Sequence, residues 1–175
     1  METAAARAAR LRLLIFDVDG VLTDGTIVMH ADGTESKGFN IRDGAAIVWA
    51  QRQGLPVALL SARTSAATSQ RAAQLAIRTV VQGVSTKLQA YEQILRDAGL
   101  TDEEVSFMGD DLLDLPVLAR AGLAAAPSDA AAEVLAAAHW VSPAPGGRGA
   151  VRAFIEMVLR AQGRWEAVLR EYRQG

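Results

Sequence analysis

Cysteine is absent from this 175-residue sequence, and histidine and aromatic residues are scarce. Without cysteine, neither a disulfide framework nor a thiolate metal site is available. No uninterrupted apolar stretch approaches the about 18 residues that a membrane span requires, so no membrane segment is predicted. The net charge of −2 argues against nucleic acid as the main partner. The composition is compatible with a reducing cytoplasm, which is the predicted location.

Half of the residues are hydrophobic, which is ample for a folded core, and the length fits one domain. We therefore predict a single domain over 1–175, with a hairpin at about 25–40 and a C-terminal tail at about 142–175. Lysine and arginine together number 18, but only Lys37 and Lys87 are lysines. Scattered arginines are therefore interpreted as surface residues, whereas each lysine needs its own explanation.

Short apolar runs alternate with helical patterns of about 10–15 residues. The runs predict strands at 12–16, 55–60, 78–81, 105–108, 122–125 and 139–141. Asp32-Gly33 between two extended segments predicts a β-hairpin. This alternation is typical of βαβ units and predicts an α/β fold. The expected architecture is a Rossmann-like, doubly wound parallel sheet, covered by helices on both faces and with the hairpin projecting from it.

Helix boundaries and linkers follow from capping residues and from composition. Asp43 is predicted to cap the helix after the hairpin, and Gly54 to end it. Further helices are predicted at 65–76, 85–98, 112–120, 129–137, 150–161 and 164–173. The Pro/Gly-rich segment 142–149 is predicted to be a flexible linker.

Acidic and hydroxyl side chains stand where the predicted strands end. Asp17 and Asp19 follow the first strand, Ser61 follows the second, and Asp110 and Asp111 follow the fourth. Ligands of parallel α/β sheets bind beyond the carboxyl ends of the strands. These side chains are therefore expected to surround one site.

Converging carboxylates repel one another unless a cation lies between them. An all-oxygen ligand set suits Mg²⁺, and the predicted ligands are Asp17, Asp19 and Asp110. Because Asp17 and Asp19 are two residues apart at a strand end, both can face the same pocket, and one of them can stay free for proton transfer. Asp111 and Asp114 are candidates for holding these ligands and the nearby lysine in place.

Phosphoryl transfer needs a positioned nucleophile and positive charge around the phosphoryl oxygens. Asp17 is the candidate nucleophile, which would form an aspartyl phosphate. Asp19 is the candidate acid and base, protonating the leaving alkoxide and later activating water. Ser61 can hydrogen-bond a phosphoryl oxygen, and Lys87, at the start of a helix, can neutralise its charge.

In their order along the chain, these residues resemble the motifs of the haloacid dehalogenase superfamily of phosphatases. The matching positions are 17–25 (DVDGVLTDG), Ser61, Lys87 and 109–114 (GDDLLD). The sequence more closely resembles the capless subgroup that contains the 3-deoxy-D-manno-octulosonate 8-phosphate (Kdo 8-phosphate) phosphatases. This resemblance extends over nearly the whole chain, and the matching segments include 39–44 (FNIRDG) and 146–152 (GGRGAVR). Only about 40 residues separate Asp19 from Ser61, which leaves room for a hairpin but not for a mobile cap domain.

The resemblance implies Mg²⁺-dependent hydrolysis of a small sugar-acid phosphate in lipopolysaccharide precursor synthesis. It also implies a homotetramer in which hairpins pack together and a neighbour helps to close the site. The candidate substrate-binding residues are Arg42, Asp43, Gly44, Arg63 and Arg148. The second motif departs from the usual pattern, because Ala62 replaces a glycine, but Ser61 and Arg63 on either side of it are retained.

Other interpretations are left open by the sequence. Arg63 favours the eight-carbon substrate over a nine-carbon sialic-type keto-acid 9-phosphate, whose phosphatases tend to carry an acidic residue near this position. Receiver domains also use acidic residues, a lysine and Mg²⁺, but they place the phosphorylated aspartate after the third strand, where Val81-Gln82-Gly83 stand here. A non-catalytic assembly module is disfavoured, because Asp17 and Asp19 are both present.

Overall fold

Eight strands and eight α-helices make up the fold in the computed structural model, which describes residues 2–173. In chain order they are α1 (Ala4–Ala8), β1 (Leu13–Phe16), β2 (Val28–Met29), β3 (Glu35–Ser36), α2 (Ile41–Arg52), β4 (Val57–Leu60), α3 (Ala66–Gln74), β5 (Thr79–Val81), α4 (Lys87–Ala98), β6 (Val105–Met108), α5 (Leu115–Leu118), β7 (Leu123–Ala126), α6 (Ala132–Ala137), β8 (Trp140–Val141), α7 (Ala150–Ala161) and α8 (Trp165–Arg173). Short 3₁₀ helices at Asp102–Glu104 and Leu112–Asp114 precede β6 and α5.

Six strands pair in parallel in the order β5-β4-β1-β6-β7-β8, so β1 lies inside the sheet. Successive side chains of a strand point to opposite faces. Leu14 and Phe16 pack with α1, α2, α3, α7 and α8, whereas Leu13 and Ile15 pack with α4, α5 and α6. Strands β1, β4, β6 and β7 are buried along their whole length. The predicted parallel α/β fold with helices on both faces is confirmed.

Strands β2 and β3 form a separate antiparallel pair, with Val28 opposite Ser36 and Met29 opposite Glu35. The predicted projecting hairpin is confirmed, although each strand has only two residues and is shorter than expected. The turn is fixed by Asp32, whose carboxylate accepts from the backbone N and the hydroxyl of Thr34 at 2.9 and 2.7 Å. The side chains of Val28 and Met29 are exposed.

The predicted cap of α2 is wrong. Asn40 caps this helix, and its side chain accepts from the backbone N atoms of Arg42 and Asp43. Asp43 lies in the first turn of α2, is buried, and accepts from the backbone N atoms of Gly149 and Arg152 at 3.1 and 2.7 Å. It therefore caps α7 from a neighbouring helix. Burial raises the pKa of Asp43, and these two amides oppose that rise.

The segment 142–149 is not a flexible linker, because it packs against the chain that follows β1. Gly146 N donates to Asp129 Oδ1, and Gly147 N donates to the carbonyl of Val21, both at 2.9 Å. A Cβ on Gly146 would lie 1.8 Å from the carbonyl oxygen of Gly20. Only a residue without a side chain fits in this position.

Two helices differ from the prediction for local reasons. The expected helix 112–120 is a 3₁₀ turn followed by the short α5, with Pro116 in the first turn of α5, where its missing N–H is tolerated. The short α1 was not predicted, because five residues rich in alanine carry no periodic pattern. Over residues 2–173, no helix combines the length and the hydropathy that a membrane crossing requires.

We expect Asp43→Ala to lower the free energy of unfolding by about 2 kcal/mol, because two half-buried backbone amides at the amino end of α7 would lose their charged acceptor. Urea denaturation followed by circular dichroism measures the change. Asp97→Ala is the control, since Asp97 is an exposed helical residue and should cost less than about 0.5 kcal/mol. Equal stability of Asp43→Ala and the parent would contradict this role.

Candidate active site

A cavity of about 280 Å³ opens at the carboxyl ends of β1, β4 and β6. Its lining includes all seven residues predicted to act in catalysis, in metal binding or in support of them: Asp17, Asp19, Ser61, Lys87, Asp110, Asp111 and Asp114. Arg63 and Leu113 complete much of its rim. A larger recess of about 700 Å³ is lined by Leu13, Val57 and Thr79, the first residues of three strands, and so lies at the opposite edge of the sheet.

The loop after β1 is folded tightly around two acceptors, the backbone carbonyl of Val18 and the side-chain hydroxyl of Thr23. The carbonyl of Val18 accepts from the backbone N atoms of residues 21–23 at 2.9–3.3 Å. The Thr23 hydroxyl oxygen accepts from the backbone N atoms of Gly20 and Gly25. Gly20 has a positive φ of 86°, and a Cβ there would lie 2.0 Å from Asp110 Oδ2. The glycine of the motif thus gives Asp110 the space to approach the Asp17 loop.

Lys87 lies between two carboxylates at the amino end of α4. Its Nζ lies 2.8 Å from Asp17 Oδ2 and 2.6 Å from Asp114 Oδ1. The other oxygen of Asp114 accepts from the backbone N atoms of Asp110 and Asp111 at 2.9 and 3.2 Å. Burial opposes the charged form of Lys87, but the two carboxylates outweigh it and raise the pKa of Lys87. Asp114 therefore holds both the lysine and the backbone of the Asp110 loop.

Asp17, Asp110 and Asp114 form an acidic cluster in which one oxygen from each lies within 4.8 Å of the others. Burial raises the pKa of Asp17 to about 6, against the opposing effect of Lys87. Burial, reinforced by Asp17 and Asp114, raises the pKa of Asp110 to about 7. Among residues 2–173, Asp110 Oδ1 is buried without a hydrogen-bond partner. Both oxygens of Asp114 already accept hydrogen bonds from Lys87 and from two backbone amides. Asp17 and Asp110 are therefore the side chains of this cluster that fit Mg²⁺.

Asp19 is held apart from this cluster by a residue of the hairpin. Both of its carboxylate oxygens accept from Lys37 Nζ, at 2.6 and 2.9 Å. The Lys37 side chain has no exposed surface. A side-chain contact of Asp19 with metal stays a prediction. Sequence reasoning assigned no role to Lys37, although its rarity in an arginine-rich chain was a signal.

Ser61 and Arg63 follow β4 at the rim of the cavity. Ser61 is buried, and its hydroxyl oxygen accepts from the backbone N of Arg63 at 3.2 Å. The Arg63 guanidinium donates to Glu35 Oε2 at 3.1 Å and lies 3.9 Å from Asp19 Oδ2. Glu35, a residue of β3 that sequence reasoning missed, thus ties Arg63 to the hairpin.

The other predicted substrate contacts lie outside this cavity of the same chain. Arg42 and Arg148 line a separate recess of about 750 Å³ together with Arg152, which we call the arginine recess. Asp43 is engaged in capping α7. Gly44 is covered by an arginine, since a Cβ there would lie 2.2 Å from Arg71 Nη2. A contact of these residues with substrate stays a prediction.

Sequence comparison identifies relatives of the whole chain. A family model described as haloacid dehalogenase-like hydrolase matches residues 78–154. A 3-deoxy-D-manno-octulosonate 8-phosphate phosphatase from Yersinia pestis is 44% identical over 160 residues, which cover 91% of this chain and 86% of the relative.

Structure comparison agrees. A probable YrbI family phosphatase from Pseudomonas syringae has a TM-score of 0.96 at 41% identity, covering 98% of each chain. A 3-deoxy-D-manno-octulosonate 8-phosphate phosphatase from Moraxella catarrhalis, solved in complex with magnesium, phosphate and KDO, has a TM-score of 0.94 at 31% identity, covering 97% of each chain. The fold is thus similar to that of these phosphatases over nearly the whole of each chain.

We expect Mg²⁺ to stabilise the protein more at pH 8 than at about pH 5.5. The folded-state pKa values of Asp17 and Asp110 lie above the unfolded ones, so each protonated group stabilises the metal-free fold at low pH. That contribution is lost as the pH rises through about 6–7, where protons stop competing with the cation. Melting temperatures with Mg²⁺ and with chelator measure the difference, and Asp110→Asn should abolish it. A shift independent of pH would contradict the assignment.

Proposed function

The chain belongs to the 3-deoxy-D-manno-octulosonate 8-phosphate phosphatases, a family of haloacid dehalogenase-like hydrolases, and from this premise we propose that it hydrolyses Kdo 8-phosphate to Kdo and phosphate. The observation that carries the proposal is that Lys87 contacts Asp17 in a cavity that Ser61 and Asp110 also line. The reaction is a step of lipopolysaccharide precursor synthesis. A chain without cysteine is compatible with a cytoplasmic location.

The first half-reaction transfers the phosphoryl group to the protein. A carboxylate oxygen of Asp17 attacks phosphorus, and the bond from phosphorus to the sugar oxygen breaks. Asp19 donates a proton to the departing sugar oxygen. Lys87 and the Ser61 hydroxyl contact phosphoryl oxygens, where negative charge is greatest. When bound by Asp17 and Asp110, Mg²⁺ supplies positive charge that stabilises the phosphoryl oxygens.

The second half-reaction hydrolyses the aspartyl phosphate and regenerates the Asp17 carboxylate. Water attacks the phosphorus of the aspartyl phosphate, Asp19 accepts its proton, and the electron pair of the breaking bond returns to Asp17. Asp114 acts throughout by holding Lys87 and the backbone of the Asp110 loop. Asp111 lies at the rim, where it accepts from the backbone N of Leu112 and supports the turn.

The proposal also covers the oligomeric state of the protein. We infer a homotetramer in which hairpins pack together and a neighbouring subunit helps to close each cavity. Exposed apolar side chains at two places support it: Val28 and Met29 on the hairpin, and Leu112 and Leu113 beside the cavity. The arginine recess, with Arg42 and Arg148, is a candidate for the surface that reaches a neighbour's substrate.

We expect phosphate release with Mg²⁺ to be fastest on Kdo 8-phosphate in a panel that also holds a nine-carbon keto-acid 9-phosphate, hexose phosphates and an aryl phosphate. Asp17→Asn should reduce turnover to the background, because the amide cannot attack phosphorus, while leaving the fold intact. Preference for the nine-carbon acid would leave the proposed mechanism unchanged but identify the nine-carbon keto-acid 9-phosphate as the substrate. Turnover by Asp17→Asn would disprove the nucleophile, and no release by the folded, metal-bound parent would favour a non-catalytic module.

We expect Val28→Arg to convert the tetramer into smaller species, because it places charge in an apolar contact between hairpins. Light scattering after size exclusion measures the mass. Glu103→Arg is the control, since Glu103 is exposed just before the amino end of β6, away from the hairpin, and should leave the tetramer unchanged. An intact tetramer of Val28→Arg would count against assembly through the hairpins.

A further inference from the structure

The hairpin sends Lys37 back onto the loop after β1 and Glu35 back onto the loop after β4. Lys37 Nζ donates to both oxygens of Asp19, and Arg63 donates to Glu35. Lys37 Nζ also lies 3.9 Å from Glu35 Oε1, an oxygen that is buried without a hydrogen-bond partner in the part of the chain described. We call Asp19, Glu35, Lys37 and Arg63 the hairpin charge cluster.

Burial distinguishes the Lys37–Asp19 contact from an ordinary surface ion pair. The Lys37 side chain has no exposed surface, and that of Asp19 is 19% exposed, whereas Arg63 is half exposed. A surface pair between flexible side chains fixes little geometry. A buried ammonium that donates to both oxygens of one carboxylate fixes its orientation, since turning either group would leave a buried charge unpaired.

We propose that Lys37 is a positioning residue that orients the Asp19 carboxylate as proton acceptor in the second half-reaction, an inference that rests on the proposed phosphatase function. The ammonium fixes where the two carboxylate oxygens of Asp19 lie, and with them the direction from which the carboxylate meets a water molecule. Asp19 must accept when water attacks the aspartyl phosphate: the new bond joins the water oxygen to phosphorus, the bond to Asp17 breaks, and the proton passes to Asp19. An aryl leaving group departs without needing a proton, so with an aryl phosphate only the second half-reaction depends on the orientation of Asp19.

The placement of Lys37 links the hairpin to turnover. Strand β3 ends at Ser36, one residue before Lys37, so the path of the hairpin determines where the ammonium lies. Glu35 and Arg63 hold the same strand against the loop after β4. The hairpin thus positions a residue that contacts Asp19 in the cavity of the same chain.

Rapid-quench kinetics with p-nitrophenyl phosphate and Mg²⁺ separates the two half-reactions. In Lys37→Met, nitrophenol should appear in a fast phase of one equivalent per site, at the parent's rate within about twofold. The steady-state rate that follows should fall at least about tenfold, within the range of general base effects, and KM should fall with it because the phosphoenzyme accumulates. Acid-trapped phosphoenzyme gives an independent measure.

Two further variants keep the test decisive. Lys37→Arg retains the charge with a different head group, so it should fold and show an intermediate steady-state rate with the fast phase preserved. Asp97→Ala changes an exposed residue of α4, away from the cluster, and should retain both rates. Equal loss of both phases in Lys37→Met and Lys37→Arg, or loss of neither, would overturn the inference. A parent protein that releases no phosphate would instead overturn the proposed function.

Discussion

The contact of Lys87 with Asp17 and Asp114 is the interaction on which the site depends. Parallel strands bring the carboxylates of the loops after β1 and β6 to one edge of the sheet, where burial favours their neutral forms. The Lys87 ammonium at the start of α4 offsets part of the repulsion between these carboxylates. Asp114 reaches it because Gly109 has no side chain: a Cβ there would lie 2.4 Å from the carboxyl carbon of Asp114. Sheet, helix and loop are therefore joined through one cation.

The two lysines of the chain divide the two aspartates of the first motif between them. Lys87 contacts Asp17 and Lys37 contacts Asp19. An ammonium is a compact charge on a flexible stem, whereas a guanidinium is planar and forked. The surface carries arginine, and lysine is kept for these two contacts. The difference between the aspartates follows from their partners: one faces the buried acidic cluster, and the other faces the hairpin.

Strand ends and motif spacing are enough to predict the sheet and the residues that line the cavity, because β-strands and parallel connections obey local rules. Contacts between elements distant in sequence are not predictable in this way. Asp43 has the chemistry of a cap, but which helix it caps depends on how α7 packs on α2. Lys37 gains its role only when the hairpin folds back. The segment 142–149 has a flexible composition and is nevertheless held in place, because its glycines allow close backbone contact.

That close contact has a consequence for the order in which the protein becomes active. The loop carrying Asp17 and Asp19 is synthesised near the beginning of the chain, but Gly146 and Gly147, which pack against its backbone, emerge from the ribosome after every strand of the sheet. A nascent chain thus has all the acidic residues of the cavity and its complete sheet before the catalytic loop is enclosed. Partial chains that stop before Gly146 therefore carry the motif without its support.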